Sequence, residues 1–346
     1  MRLTADVFLE TQVFYTNNFD LKRTAFTQLI RRVEEDRVRV FLTSVTVGEV
    51  KRHLAERVRA AANAIDKVKK DLRIFANSTV PEVKARAIGI NRKEVIAELT
   101  AQFDEYLKRT KATIIGCSNV DSEIIFRKYF ELSHPFQERQ DKRHEFPDAF
   151  AIEALRDFAK SEKREIAVIT GDKGFTHACE AYGMVVMETV EEFLHKENIE
   201  RESKVSQHVL ESFTRREHEI MKEITDDFLS SAFELQDVEG EVDSTSLSRI
   251  ELAEPLVVQI DGSRAILEVT VRMKYDADIS YDDPDATHYD REDDRVYVFN
   301  RISETVEEEV EFPLEITAEF DPDDASYCNF EIGKLNEGRD FEVSSN

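Results

Sequence analysis

The first 200 residues alternate between short apolar runs and longer stretches of helical spacing, and this alternation restricts the fold more than any other feature of the chain. Val7-Phe8-Leu9, Val38 to Leu42, Thr113 to Ile115, Ile166 to Thr170 and Met184 to Met187 read as strands. Between them, Leu21 to Asp36 places Phe26, Leu29, Ile30 and Val33 at helical intervals. Thr43 and Ser44 are good N-caps for a long helix running from about Val45 into the seventies. Pro81 opens another helical region reaching about Lys111, and Asp121 to Leu132 is a further helix. Ser133 to Phe146 is polar and looped. Pro147 suits the first turn of a helix over Asp148 to Lys160. Lys173 to Tyr182 is a short helix, and another begins at Val190. Strands separated by helices predict a parallel sheet with helices on both faces.

Beyond residue 200 the period changes. Leu256 to Ile260 and Ala265 to Val271 flank Asp261-Gly262, a hairpin signal, and Arg295 to Phe299 and Val306 to Phe320 alternate apolar with acidic residues. These predict a smaller antiparallel all-β domain, a sandwich or barrel. Glu202 to Leu229 reads as a connecting helix, and Asp282 to Asp285 as a turn or open loop. The expected organisation is therefore residues 1–200, a linker over 201–232, and a β-rich domain over 233–346.

Charge marks the same division. Of 72 acidic and 47 basic residues, residues 1–200 hold 33 of each, whereas residues 201–346 hold 39 acidic and 14 basic. The whole net charge of −25 thus lies in the C-terminal part, and the overall acidity says nothing against nucleic-acid binding by the first part. No apolar run approaches the roughly 20 residues that span a bilayer. The opening Met1 to Asp6 lacks the apolar core of a secretory leader. Cys117, Cys179 and Cys328, odd in number and far apart, suggest reduced thiols in a cytoplasmic protein.

Four acids occupy the places where an α/β sheet presents ligands. Glu10 ends the first strand, Glu49 lies early in the helix after the second, Asp148 opens the helix behind the polar loop, and Asp172 follows the clearest strand by two residues. In open α/β sheets ligands bind outside the carboxyl ends of the strands. Four carboxylates converging there repel one another unless a divalent cation neutralises them, and hard cations such as Mg²⁺ prefer oxygen ligands. Each acid alone has an ordinary explanation. Glu49 suits a solvated helix, Asp172 suits a turn, and Asp148 at a helix N-terminus contributes about 0.3–1 kcal/mol through the helix dipole. With 72 acids in 346 residues, about one position in five is acidic by chance, so the joint placement is the specific signal.

The residues around these acids resemble the PIN-domain family. Val7 to Phe14 is similar to its opening, a hydrophobic strand followed by Asp-Thr-Asn. Thr46-Val47-Gly48-Glu49-Val50 resembles its second motif, Phe146 to Leu155 its third, and Val168 to Phe175 its fourth. All four occur in order, and the closest form is the larger bacterial one with a helical insertion. The resemblance implies a three-layer α/β/α fold, Mg²⁺ or Mn²⁺ dependence, and cleavage of single-stranded RNA, with toxin or defence roles among those found in bacteria. It assigns Glu10, Glu49, Asp148 and Asp172 as catalytic and metal-binding residues, supported by Thr11, Gln12 and Thr170. Glu10 and Gln12 are each one methylene longer than the Asp and Asn of the family pattern, and Gly174 stands where the fourth motif sometimes carries a second acid. The longer side chains favour the alternative of a catalytically weak scaffold that binds RNA or a protein partner through the acidic C-terminal domain.

The segment Lys51 to Arg73 carries eight basic residues against three acids. Lys51, Arg52, Arg57 and Arg59 are candidates for leading RNA phosphates towards the acids, against the plain alternative of a solvated helix face. Lys142 and Arg143, with His144, precede Asp148 in a loop and are candidates for contacting the scissile phosphate. His134, His144 and His177 show no metal-ligand spacing. The C-terminal acids are expected to form a solvated surface, a partner-binding face, or a competitor of RNA for the basic helix. Whether the chain forms a homo-oligomer stays open.

Overall fold

The computed structural model describes residues 3–71, 91–136, 145–236, 238, 240–283, 286–290, 295–298, 300–321 and 324–345. The chain divides into two compact units, Met1–Leu194 and His195–Asn346.

The first unit is built on a five-stranded parallel sheet in the order β3-β2-β1-β4-β5. The strands are β1 (Asp6–Leu9), β2 (Arg39–Thr43), β3 (Thr113–Ile115), β4 (Ile166–Ile169) and β5 (Val185–Met187). Every residue of β1 and β4 is buried, as central strands covered on both faces require, and the one charge among them, Asp6 at the start of β1, is paired with Arg39 and Arg164. The helices are α1 (Thr11–Thr16), α2 (Thr24–Glu34), α3 (Ser44–Asp71), α4 (Arg92–Arg109), α5 (Ser122–Glu131), α6 (Phe146–Glu162) and α7 (Lys173–Ala181), with α8 (Val190–Arg201) straddling the division between units. On one face Phe8 and Val168 pack with Ile152 and Leu155 of α6 and with Phe175 and Ala178 of α7. A second aromatic group joins α1, α2 and α4. Phe14 stacks on Phe26 at 5.7 Å between ring centroids and meets Phe103 edge-on at 5.3 Å.

Local sequence accounts for the helix starts. The Thr43 hydroxyl accepts from the Thr46 backbone N–H at 3.1 Å, a cap at the head of α3. Pro147 lies in the first turn of α6, where its missing N–H has no intrahelical partner to lose. Helix α4 begins at Arg92, capped by the Asn91 side chain, and the expected start at Pro81 lies outside the described residues. Helix α1 was not anticipated. It follows β1 with a single residue between, and Glu10 caps it by accepting from the Gln12 N–H at 2.8 Å.

The second unit contains β6 (Phe233–Leu235), β7 (Gly240–Leu252), β8 (Leu256–Asp261), β9 (Arg264–Asp282), β10 (Thr287–Asp290), β11 (Arg295–Val298), β12 (Arg301–Asp321), β13 (Asp324–Ile332) and β14 (Phe341–Val343). Its main sheet is antiparallel in the order β13-β12-β9-β7, with β8 also pairing β9 through the expected hairpin. Gly262 turns that hairpin at φ +60°, a conformation open to glycine at little cost. A sandwich or barrel was expected, but a helix, joined by the short parallel pair β6–β14, takes the place of a full second sheet. The long α9 (Ser203–Leu229) lays Val209, Phe213, Ile220, Ile224 and Phe228 into one core with alternate residues of β9 and β12. The expected connection over 201–232 therefore contributes one buried face to the core of this unit. The physical reason lies in the strands. Their period of two gives one apolar face, which a single amphipathic helix can cover, while the other face carries cross-strand pairs such as Arg272–Glu311 at 2.6 Å and Lys274–Glu307 at 2.8 Å. Glu307 and Glu309 thus belong to a solvated sheet face, whereas Glu308 is half-buried on the other face and accepts from the Ser344 N–H at 2.9 Å. Among the described residues no helix is long and apolar enough to cross a membrane, and all three cysteines are free thiols.

Candidate active site

Strand order places the site. In β3-β2-β1-β4-β5 the connections run in opposite directions from β1, so the carboxyl ends of β1 and β4 flank the point where the sheet reverses its winding. Leu9 pairs with Ile169 there, and the next N–H, from Glu10, donates to the Ile169 carbonyl at 3.1 Å. Glu10 leaves β1 at this edge, and Thr170 and Asp172 leave β4 beside it.

A hydroxyl ties these two segments together. Thr170 Oγ1 donates to Glu10 Oε2 at 3.1 Å and accepts from the Asp172 backbone N–H at 3.0 Å. Asp172 caps α7, its Oδ1 accepting from the Phe175 N–H at 2.7 Å. The ordinary reading of this acid is a turn residue; its local role is instead that of a helix cap, and it occupies Oδ1. On the other side Thr11 Oγ1 donates to Glu49 Oε2 at 3.1 Å, which fixes the second-motif acid of α3 against the start of α1. Gln12 contributes its backbone N–H to Glu10, and its side-chain stem lies against Gly171.

Asp148 stands in the first turn of α6, and its electrostatics depart from those of a residue that only caps a helix. A carboxylate present only to favour the helix N-terminus gains about 0.3–1 kcal/mol in its charged form, which lowers its pKa by under one unit. Instead the Asp148 carboxyl is pushed up to about 8, first by burial and then by the negative charges of Glu10, Glu49, Asp172 and Glu145. Glu10 is pushed up to about 7, again mainly by burial, against the lowering hydrogen bonds from Gln12, Thr170 and Thr11, with Asp172 adding repulsion. Repulsion and desolvation outweigh the helix dipole. The four sequence-predicted acids thus share one electrostatic environment at the carboxyl end of the sheet. Among the described residues no three His, Cys, Asp or Glu side chains are drawn together around one point.

The candidate donors still suit a hard divalent cation. They are carboxylate and hydroxyl oxygens, and the named charges acting on Asp148 are all carboxylates, so a cation would relieve a burden no basic side chain is shown to carry. Glu145, the N-cap residue of α6, is a further acid at this place that the sequence reading passed over. Its position three residues before Asp148 was the available signal.

The predicted basic residues distribute differently. Lys51 pairs with Asp104 of α4 at 2.6 Å, and Arg52 pairs with Glu56 one turn along α3 at 3.3 Å. Arg57 donates to the Asn18 side chain at 3.1 Å and lies 5.0 Å from the Tyr15 ring centroid. Arg59 is exposed, and among the described residues no ion pair engages it. Lys142, Arg143 and His144 lie outside the described residues. His134 and His177, which show no ligand spacing in the sequence, stack at 4.8 Å between ring centroids.

Residues 7–175 match a family model described as PIN domain. The N-terminal unit is a PIN domain. Its match spans all four acids and the helical region between β2 and β3, and PIN domains are in general nucleases. No curated protein and no solved structure gave a match.

Proposed function

We propose that this PIN domain hydrolyses phosphodiester bonds of single-stranded RNA with the help of Mg²⁺ or Mn²⁺, in the cytoplasm, and that Glu10, Glu49, Asp148 and Asp172 are its catalytic and metal-binding residues. The observation that carries the proposal is the Asp148 carboxyl, held near other acids at the winding reversal of a PIN sheet and raised to about 8. A bound divalent ion supplies positive charge against the phosphodiester and acidifies water. The protein's part is positional. Thr170 orients Glu10 Oε2 and the Asp172 backbone together, Thr11 orients Glu49, and α6 presents Asp148 at its head. Water adds to phosphorus, one P–O ester bond breaks, and the departing oxygen takes up a proton.

The test is cleavage of a labelled single-stranded RNA by purified protein. Cleavage with Mn²⁺ or Mg²⁺, its loss in chelator, and its suppression in Asp148→Asn support the proposal. Wild-type cleavage by Asp148→Asn refutes the assignment. A second reading, a weakly active scaffold that binds RNA or a protein partner, is favoured by Glu10. Its Oε2 already accepts from Gln12 and Thr170, and the residue is buried. RNA binding by the full chain with no metal-dependent cleavage would select that reading.

A further inference from the structure

We infer that Phe126 and Phe130 of α5 form a stacking platform for two nucleobases of a single-stranded RNA that enters the site through the head of α6. This extends the nuclease proposal and rests on it for the identity of the strand.

The two rings stand one helical turn apart on α5, stacked at 6.4 Å between centroids with 27° between their planes. They are 51% and 76% exposed, the latter the largest exposure among the described large hydrophobic side chains. Their exposure is not a failure of the local core. Ile125, Phe136 and Ala149 are buried beneath them, with Tyr129, Phe146 and Phe150 packed against that group, so the inner face of α5 is already satisfied. Single exposed apolar residues need no explanation, but two stacked rings on one face form a patch. Aromatic rings, unlike aliphatic side chains, offer flat faces matched to those of nucleobases, and this recognition tolerates any base.

Two observations choose the occupant. The patch is continuous, ring to ring, with the helix that carries Asp148. Phe126 meets the Phe146 ring at 5.8 Å, and Phe146 lies two residues before Asp148 in the first turn of α6. Arg127, the residue after Phe126 on the same helix, is an exposed cation suited to a phosphate. A duplex hides its base faces, so the platform selects single strands. A second copy of this chain would also bury aromatic rings, but it has no use for a neighbouring cation or for proximity to the acids.

The chain contains no tryptophan, so Phe130→Trp introduces a single indole that keeps an aromatic face and reports stacking. The variant is titrated in chelator, to prevent cleavage, with a twelve-nucleotide single-stranded RNA and with its duplex. The expected result is strong quenching by the single strand and little by the duplex. In the Phe126→Ala/Phe130→Ala protein, affinity for the same strand should fall by about tenfold or more, since each base stacked on an aromatic ring contributes substantially to binding. Circular dichroism should stay unchanged, because both rings lie outside the core. An unquenched indole in a sample that binds RNA by anisotropy overturns the platform and leaves the nuclease proposal standing. Quenching without metal-dependent cleavage does the reverse. If the double variant changes sedimentation from dimer to monomer with RNA affinity unaltered, the face belongs to a second copy and the inference is wrong.

Discussion

Replacing Asp148 by Asn should make the metal-free protein more stable at pH 8, and the raised carboxyls set the size of the gain. Asp148 rises from 3.8 to about 8 and Glu10 from 4.5 to about 7. A folded-state pKa above the unfolded value means that the native protein binds more protons than the unfolded chain between the two values. Stability therefore falls as pH rises from about 4 to about 8, the opposite of the usual salt-bridged carboxylate. Each pKa unit corresponds to 1.36 kcal/mol, so the Asp148 shift sets an upper bound of about 5–6 kcal/mol. The two shifts share the Glu10–Asp148 repulsion and do not add. An Asn at 148 keeps the shape, removes the charge, and retains part of the burial cost, which leaves an expected gain of about 2–4 kcal/mol at pH 8. In a domain of this size 1 kcal/mol moves Tm by about 2–4 °C, so the unfolding transition of the first unit should rise by about 5–15 °C in chelator. At pH 4 the variant and the wild type should nearly coincide, because Asp148 is then protonated in the folded protein. Mn²⁺ should raise the wild-type Tm at pH 8 and move the variant much less, since binding to the folded state stabilises it in proportion to affinity. Scanning calorimetry at pH 4 and pH 8, with and without Mn²⁺, measures all four quantities. Equal or lower stability of Asp148→Asn at pH 8 would refute the claim that these acids burden one another.

Asp172→Asn should reduce cleavage at least about a hundredfold while keeping the cap on α7, because Asn is as good an N-cap as Asp; circular dichroism beside a cleavage assay checks both. Glu10→Asp should be milder and is expected to keep or raise activity, measured as kcat under saturating RNA. Thr170→Val removes the hydroxyl that links Glu10 to the Asp172 backbone. It should cost about 1–3 kcal/mol in urea denaturation, since a buried carboxylate oxygen and an N–H each lose a partner. Arg57→Ala together with Arg59→Ala should weaken RNA binding uniformly across sequences and flatten its salt dependence, read by anisotropy over a salt series.

The sequence made the first unit legible because its signals are local. Apolar runs of four or five residues between helical stretches, a Thr cap at 43 and a proline in the first turn of α6 each act within a few residues, and the structure follows them. The four acids stood out as candidates because Glu10, Asp148 and Asp172 each sit at the end of one such element and Glu49 lies in the second turn of α3. What stayed hidden required either an unusual local choice or a tertiary partner. Helix α1 is capped by a glutamate, outside the Ser, Thr, Asp and Asn that mark a helix start, and six residues are too few to show a period. Phe126 and Phe130 sit in a short mixed helix whose pattern does not say which side faces the core, and only the packing of Ile125 and Tyr129 turns them outward. In the second unit the alternation gave strands with one apolar face, but not what covers it. The apolar stripe of α9 was visible as a helix, yet nothing local distinguishes a connecting helix from a core helix.

That distinction changes how the acidic C-terminal part is to be tested. We propose that it governs access of RNA, or recruits a partner, without contributing a catalytic residue. Its excess charge of −25 opposes the phosphate attraction that Lys and Arg supply. A truncation near residue 230, at the end of an expected linker, would leave Val209, Phe213, Ile220, Ile224 and Phe228 without the strands that bury them, and such a fragment should aggregate whatever the nuclease domain does. The division between units falls instead at Leu194, inside α8, so a cut after Arg201 keeps that helix whole and removes α9 together with its sheet. The fragment ending at Arg201 should fold, bind Mn²⁺ and cleave single-stranded RNA. In low salt it should bind RNA more tightly than the full chain. Repulsion acting only at a distance fades beyond about 10 Å at 0.1 M salt, so a difference that vanishes there identifies long-range charge. A difference that persists at 0.1 M identifies direct competition for the basic helix. A folded, metal-binding fragment that has lost cleavage, while the full chain cuts, would show that the acidic unit belongs to the catalytic apparatus.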